Sequence, residues 1–327
     1  MSNGAEPPLL LTCGEPAGIG GEIAAKAWDA LRGELAFALL GDADWAAGFG
    51  APVTRIEAPE AASAAMAEGL PVLHRPFARP PTPGRPDAAN APAVIAAIET
   101  AVALVRDGRG AGVVTLPISK KALRDGAGFS HPGHTEFLAA LTGAARPVMM
   151  LAGPSMRVVP ATIHVALSAV PALLSEGLIV ETGRILAADL TRFFGVARPR
   201  IAVTGLNPHA GEGGVMGREE IEIVAPAVAT LRGEGIDAFG PVPGDAAFTP
   251  AARAGWDAAL CMYHDQALIP LKALDFDTAV NVTLGLPIVR TSPDHGTAFD
   301  IAGAGLADPG SLIAALRTAR AMAARLG

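Results

Sequence analysis

Three histidines end or follow apolar runs of strand length: His164 closes RVVPATIH, His209 follows RIAVTGLNP, and His264 closes AALCMYH. Neutral imidazoles bind zinc and similar ions, and three of them with an open fourth position describe a catalytic rather than a closed structural site. In open α/β sheets, ligands collect beyond the carboxyl ends of strands, so three strands ending this way could converge on one ion. The other reading is that each histidine closes its own strand against a nearby carbonyl. Asp265, beside His264, either orients an imidazole or starts the following loop.

Further polar residues stand where a ligand could meet them. HPGHTEFLAALTG places His134 and Thr135 at a helix start. The threonine hydroxyl could cap that helix or touch a ligand, while capping alone leaves the histidine unexplained. Lys120, Lys121 and Lys272 lie just beyond expected strand ends in LPISKK and LIPLK, and Arg290 follows TLGLPIV. Such cations suit a phosphate or carboxylate, with Lys121 reading best as ordinary surface charge. Cys13 and Cys261, the only two cysteines, adjoin apolar runs and suit small core residues in a reducing compartment. A thiolate metal site needs more ligands, and little beside Cys13 supports a nucleophile.

The elements that must position these groups follow from periodicity. PLLLTC, LAFALLG, AGVVTLP, PVMMLAG, RVVPATIH, RIAVTGLN and AALCMYH read as strands. GGEIAAKAWDAL, APAVIAAIETAVALV, TEFLAALTG and REEIEIVAPAVATLR alternate with them at helical spacing. The pattern predicts α/β architecture with largely parallel sheets. Residues 75–92, RPFARPPTPGRPDAANAP, carry too much proline for a helix or a central strand and read as a long ordered loop before a helix near Ala91. CGEPAGIGGEIAAKA is a strand-turn-helix junction without the dinucleotide spacing G-x-G-x-x-G, and GLNPHAGEGG embeds His209 in glycines that let backbone approach a ligand.

With 327 residues, half of them apolar, the chain can bury a large core in one domain or two lobes. A net charge of −7 excludes a general affinity for nucleic acid or anionic membrane. No uncharged apolar stretch approaches a membrane span of about 18 residues, and the start lacks the order of a signal peptide, so the expected location is cytoplasmic.

Six stretches together resemble the 4-hydroxythreonine-4-phosphate dehydrogenases of vitamin B6 synthesis: GEPAGIGGE, HPGHTEFLA, GLNPHAGEGG, GPVPGDAAF, YHDQALIPLK and NVTLGLPIVRTSPDHGTAFDIAG. The resemblance runs over almost the whole chain. It implies a two-lobed fold like that of isocitrate and isopropylmalate dehydrogenases, with the active site in the inter-lobe cleft. Residues 1–127 and 280–327 would form the nucleotide lobe, and 128–279 the lobe carrying metal and dimer contacts.

The implied reaction is NAD-dependent oxidation of 4-phosphooxy-L-threonine, followed by loss of carbon dioxide to give 3-amino-2-oxopropyl phosphate. NADP is the alternative cofactor. The implied metal ligands are His164, His209 and His264, with zinc first and cobalt or magnesium as alternatives, at a site shared across a homodimer. Substrate binding falls to His134, Thr135, Lys272, Asn281 and Arg290; His134, Asp245 and Lys272 are the proton-transfer candidates. His295, Gly296, Thr297 and Asp300 would lie near the cofactor's adenosine. The chain departs from the family pattern with Gly21 for proline, Leu116 for glycine, Ser168-Ala169 for an Arg-Asp pair, and Val215 for histidine. The rival functions are a paralogous dehydrogenase for 4-phosphothreonate, 4-phosphoerythronate or a cis-diol, a metal-dependent hydrolase, and a non-catalytic binding protein.

Overall fold

Strands covered on both faces read as unbroken apolar runs, whereas edge strands mix in polar residues. A computed structural model, which describes residues 6–326, contains both kinds. The strands are β1 (Leu9–Thr12), β2 (Phe37–Gly41), β3 (Val53–Ile56), β4 (Leu70–His74), β5 (Gly112–Thr115), β6 (Val148–Ala152), β7 (Arg157–Thr162), β8 (Arg200–Thr204), β9 (Asp237–Val242), β10 (Ala258–Tyr263), β11 (Val280–Leu284) and β12 (Arg290–Pro293). The chain divides into two compact units: the described residues of Met1–Pro147 with Leu286–Arg325, and Val148–Gly285.

In the first unit the strands run parallel in the order β3-β4-β2-β1-β5-β12. Leu9, Leu10 and Leu11 of β1 are wholly buried. The helix Gly20–Leu31 turns Ile23, Ala24, Ala27, Trp28 and Leu31 inward, the spacing of one helical face. The segment Ala88–Arg106 is long and apolar enough to cross a membrane by length and composition. Here it is a core element: Val94, Ala97, Ile98, Ala101 and Val102 are buried, and its helix packs on β1, β2 and β5.

The proline-rich loop is held by specific bonds. Asn90, buried, accepts from the Arg79 N–H and donates to the Arg79 carbonyl, each at 3.0 Å. The Phe77 N–H donates to Asp42 at 2.9 Å. The Gly84 N–H donates to the Ala17 carbonyl at 2.8 Å, with Gly84 at φ 72°, where a side chain would be strained.

In the second unit the order is β11-β6-β7-β10-β8-β9. β6 pairs antiparallel with β11 and β7, and the remaining pairs are parallel. Leu151, Val158, Cys261, Leu268 and Leu271 form its core with Met149, Phe248 and Trp256 against them. The helix Glu176–Phe194 starts at Ser175, whose hydroxyl accepts from the Leu178 N–H, and stops at left-handed Gly195 (φ 69°). Buried Asp189 on this helix accepts from the Gly285 N–H at 2.6 Å, and burial raises its pKa.

Candidate active site

The first unit gathers an anion-binding cluster. The helix His134–Thr142 begins after Gly133, and no side chain caps it. Thr135 therefore does not cap, contrary to one expectation: the cap position falls on Gly133, and Thr135 stands two residues beyond it. His134 keeps some contact with solvent, but its Nε2 is enclosed and has no hydrogen-bond partner. Burial, with the charges of Arg290 and Lys120, pushes its pKa down to about 3, so the ring is neutral. Arg290 opens β12 and is buried; its guanidinium donates to Thr115 Oγ1 at 2.7 Å. Burial lowers even this guanidinium to about 10, with the Glu136 carboxylate opposing the shift. Lys120 follows β5 at the start of the helix Lys120–Ala127, where Ser119 is the cap. Lys121 is paired with Asp125 on the surface, as ordinary charge.

The segment expected to face the cofactor packs on the glycine-rich turn of the same unit. The Ile19 N–H donates to the Thr297 carbonyl at 3.1 Å, and a Cβ on Gly18 would fall 2.8 Å from that oxygen. His295 Nδ1 bonds the Gly296 carbonyl at 2.9 Å, which makes Nε2 the acceptor; Nε2 is enclosed without a partner. Gly296 and Asp300 are exposed. A close glycine cradle and an enclosed acceptor suit a nucleotide that brings its own donors. Cys13 is buried and its thiol is pushed up to about 12, which removes it as a nucleophile at neutral pH.

The second unit carries the metal candidates. His264 is not followed by a loop: it is the first residue of the helix His264–Asp275, so Asp265 lies in the first helical turn. Asp265 Oδ1 lies 2.7 Å from His264 Nδ1, and a neutral ring donating there keeps its Nε2 lone pair for an ion. Gln266 has a different task. Its Oε1 accepts from the Met262 N–H and the Thr204 hydroxyl, and its Nε2 donates to the Gly205 carbonyl, at 2.7, 2.8 and 2.7 Å. It thereby ties the end of β8 to the end of β10.

His164 and His264 come together, their ring centroids 5.6 Å apart, beside a cavity of about 290 Å³ that Tyr263 and Asp265 also line. His164 has φ 53° and His209 φ 51°, left-handed values that cost non-glycine residues energy and concentrate at functional sites. The loop from His209 to Gly213 is left-handed throughout. Glu220, buried, holds its base: Oε1 accepts from the Asn207 N–H at 2.7 Å, and Oε2 from Asn207 Nδ2 at 3.0 Å. Among the described residues, no group of three or more His, Cys, Asp or Glu is placed to hold a metal ion. Within one chain His164 and His264 meet. The pair, with its oriented Nε2, fits a divalent ion that takes further ligands elsewhere.

Lys272 lies two turns into the helix His264–Asp275, not beyond a strand; Pro270 sits inside that helix instead of ending a strand. Its ammonium stands 5.9 Å from the Phe276 ring centroid. Asn281 on β11 is half-buried with an enclosed Oδ1 that has no partner, and Asp245 is exposed at the short helix Gly244–Ala247. Sequence reasoning missed Thr115, Glu136, Asn207 and Glu220. The glycines around Asn207 and His209 were the available signal for the last two, since so many left-handed positions need a buried anchor.

The relatives of this α/β chain, with its cationic cluster around buried Arg290 and its strand-end imidazoles, are oxidoreductases. A 4-hydroxythreonine-4-phosphate dehydrogenase of Roseobacter denitrificans is 55% identical over 322 residues, 98% of each chain. The crystal structure of the Klebsiella pneumoniae enzyme of that name superposes with a TM-score of 0.89 at 38% identity, covering 97% of this chain and 99% of that one. A terephthalate 1,2-cis-dihydrodiol dehydrogenase from Burkholderia xenovorans is more distant, with a TM-score of 0.66 at 29% identity over 96% of this chain and 97% of its own. The family model described as pyridoxal phosphate biosynthetic protein PdxA matches residues 36–319. The chain belongs to this PdxA family of 4-hydroxythreonine-4-phosphate dehydrogenases, oxidoreductases of pyridoxal phosphate biosynthesis.

Proposed function

We propose that the protein oxidises 4-phosphooxy-L-threonine at its C3 hydroxyl with NAD and a divalent metal. The product, 2-amino-3-oxo-4-phosphooxybutanoate, loses carbon dioxide to give 3-amino-2-oxopropyl phosphate. The observation that carries the reading is the enclosed, unpartnered Nε2 of His134 beside the charges of Arg290 and Lys120, a cationic surrounding that favours an anionic ligand. In this reading Arg290, Lys120 and the Thr135 hydroxyl hold an anionic group, and neutral His134 contributes a hydrogen bond. Lys272 and Asn281 are the second unit's substrate contacts.

His164, His209 and His264 would hold the ion, zinc by the softness of imidazole ligands, with one or more supplied by a second copy of the chain. His295, Gly296, Thr297 and Asp300 would border the dinucleotide. Held there, NAD would supply a hydride acceptor for C3 and the ion a positive charge to favour its oxidation. The hydroxyl proton passes to one of His134, Asp245 or Lys272, and the electron pair left at C2 by decarboxylation takes a proton back. An arriving anion offsets the cationic field on His134, so substrate itself makes that ring a better base.

The test is NADH absorbance with 4-phosphooxy-L-threonine, NAD and zinc, cobalt or magnesium. Turnover is expected. Turnover of 4-phosphothreonate or 4-phosphoerythronate, with none of 4-phosphooxy-L-threonine, would move the assignment to a paralogous dehydrogenase. The structural relative that acts on a cis-diol keeps that substrate as a third arm of the assay.

A further inference from the structure

A glutamine in the third position of a helix commonly turns its side chain back to the N–H of the residue before the helix and satisfies a donor there. Gln266 is third in the helix His264–Asp275, but its amide reaches further. Oε1 accepts from the Met262 N–H in β10, one residue beyond the usual place, and from the Thr204 hydroxyl at the end of β8. Nε2 donates to the Gly205 carbonyl, 61 positions away in the chain. These partners fix the orientation of the amide. A backbone N–H can only donate and a carbonyl can only accept, so oxygen and nitrogen cannot be exchanged.

Closing a helix end needs only the oxygen. The nitrogen serves the loop that carries His209. Gly205 begins that loop with both backbone groups taken, the N–H by the Val242 carbonyl at 2.8 Å and the carbonyl by Gln266 at 2.7 Å. Two residues on, Glu220 Oε1 holds the Asn207 N–H at 2.7 Å, and only Pro208 then separates this base from His209. A third segment meets the same amide. A Cβ on Gly244 would fall 3.0 Å from Gln266 Nε2, so the residue before Asp245 packs against it. No other side chain of this length both accepts and donates in this way: asparagine is one methylene short, glutamate lacks the donor, and methionine offers at most a weak acceptor.

We propose, on the reading of His209 and His264 as metal ligands, that Gln266 is a positioning residue of the metal site. Its amide sets where the His209 loop stands relative to the His264 helix, and thereby sets the affinity for the ion. Whether His209 serves an ion beside its own chain's His264 or one beside a second copy's, its loop springs from the base that this amide fixes.

The test is the zinc affinity of the full-length protein, measured by competition with a chromophoric chelator, together with the visible spectrum of its cobalt(II) form. His209→Ala and His264→Ala should each abolish tight zinc binding, which checks the ligand assignment by itself. Gln266→Met fills the same space without the three bonds. Gln266→Glu, ionised above neutral pH, keeps the acceptor for Met262 and Thr204 but turns an oxygen toward the Gly205 carbonyl. Both should weaken zinc at least about ten-fold, the loss typical of support removed from behind a metal ligand, and both should alter the cobalt band. Gly244→Ala, which crowds Nε2 from outside, should weaken zinc in the same direction and carries the test if a Gln266 variant fails to fold. A role in closing the helix alone predicts parent-like zinc affinity and cobalt spectrum for Gln266→Glu, with only Gln266→Met impaired. That result would overturn the proposal and leave the ligand assignment standing. So would parent-like zinc affinity in every folded Gln266 and Gly244 variant while both histidine variants lose zinc. Zinc affinity that survives His209→Ala and His264→Ala, or that the parent itself lacks, would overturn the ligand assignment and the proposal with it.

Discussion

At the scale of single residues, His134 is the group whose chemistry the fold alters most. Its type and place at a helix start were legible in HPGHTEF, but its protonation was not, because that depends on Arg290, 156 positions away in a chain whose numbering runs to 327. The ring titrates at about 3 in the folded chain and near the ordinary imidazole value of 6.5 when unfolded. Between those values the unfolded chain binds more protons, so the stability from this neutral ring is complete above 6.5 and is lost as pH falls toward 3. His134→Gln should flatten that dependence. The expected result is a Tm that drops less than the parent's between about pH 7 and about pH 5. A variant whose Tm follows the parent through that range would show that His134 is not held neutral. Inorganic phosphate should also be taken up with protons by the parent protein and without them by the variant.

At the scale of elements, the doubly covered strands were readable because nothing polar interrupts them: β1, β2, β5 and β10 are buried along nearly their whole length. The short outer strand β3, VTRI, is half-exposed and has no such run, and β9, DAFGPV, is broken by glycine and proline. Lys272 was misplaced for a related reason. Pro270 reads as the end of an extended run, yet it lies inside the helix His264–Asp275, whose first turn Gln266 ties to Met262 and Gly205. The His209 loop is the element where backbone and function meet. Gly211 has φ 80°, and a Cβ there would fall 2.6 Å from Glu220 Oε2. Gly213 is also left-handed, at φ 65°, but a Cβ would meet nothing within 4 Å. Gly213→Ala should therefore cost only backbone strain, about 1–2 kcal/mol. Gly211→Ala should in addition push Glu220 off Asn207 and, with His209 as a ligand as proposed, weaken zinc binding at least about ten-fold by calorimetry, the effect typical of losing support behind a metal ligand. Equal zinc affinities in the two variants would mean that Glu220 does not position His209.

At the scale of the whole molecule, the open matter is how many copies of the chain would supply the three strand-end histidines of the proposed metal site. A sequence reports which residues end strands but not whether one copy or two supply them. His164 and His264 pair, while no third ligand joins them among the described residues. Exposed apolar side chains flank these groups: Val165 and Leu167 beside His164, Val215 and Met216 beyond His209. Large exposed apolar residues clustered about polar groups are characteristic of surfaces that associate. A second copy that covers them and delivers His209 would complete the ligand set, in a symmetric dimer with two equivalent sites. The consequence can be tested with two inactive variants, His209→Ala and His264→Ala. Each alone should lose zinc and NADH formation. Refolded together, half of the dimers are mixed, and each mixed dimer holds one intact site and one lacking both histidines. Activity should then return to roughly a quarter of the parent's, with zinc bound in proportion. No recovery in mixtures shown by mass spectrometry to contain the mixed dimer would mean that all three ligands act from within one chain, and that the loop carrying His209 closes over its own His164 and His264 when the ion binds.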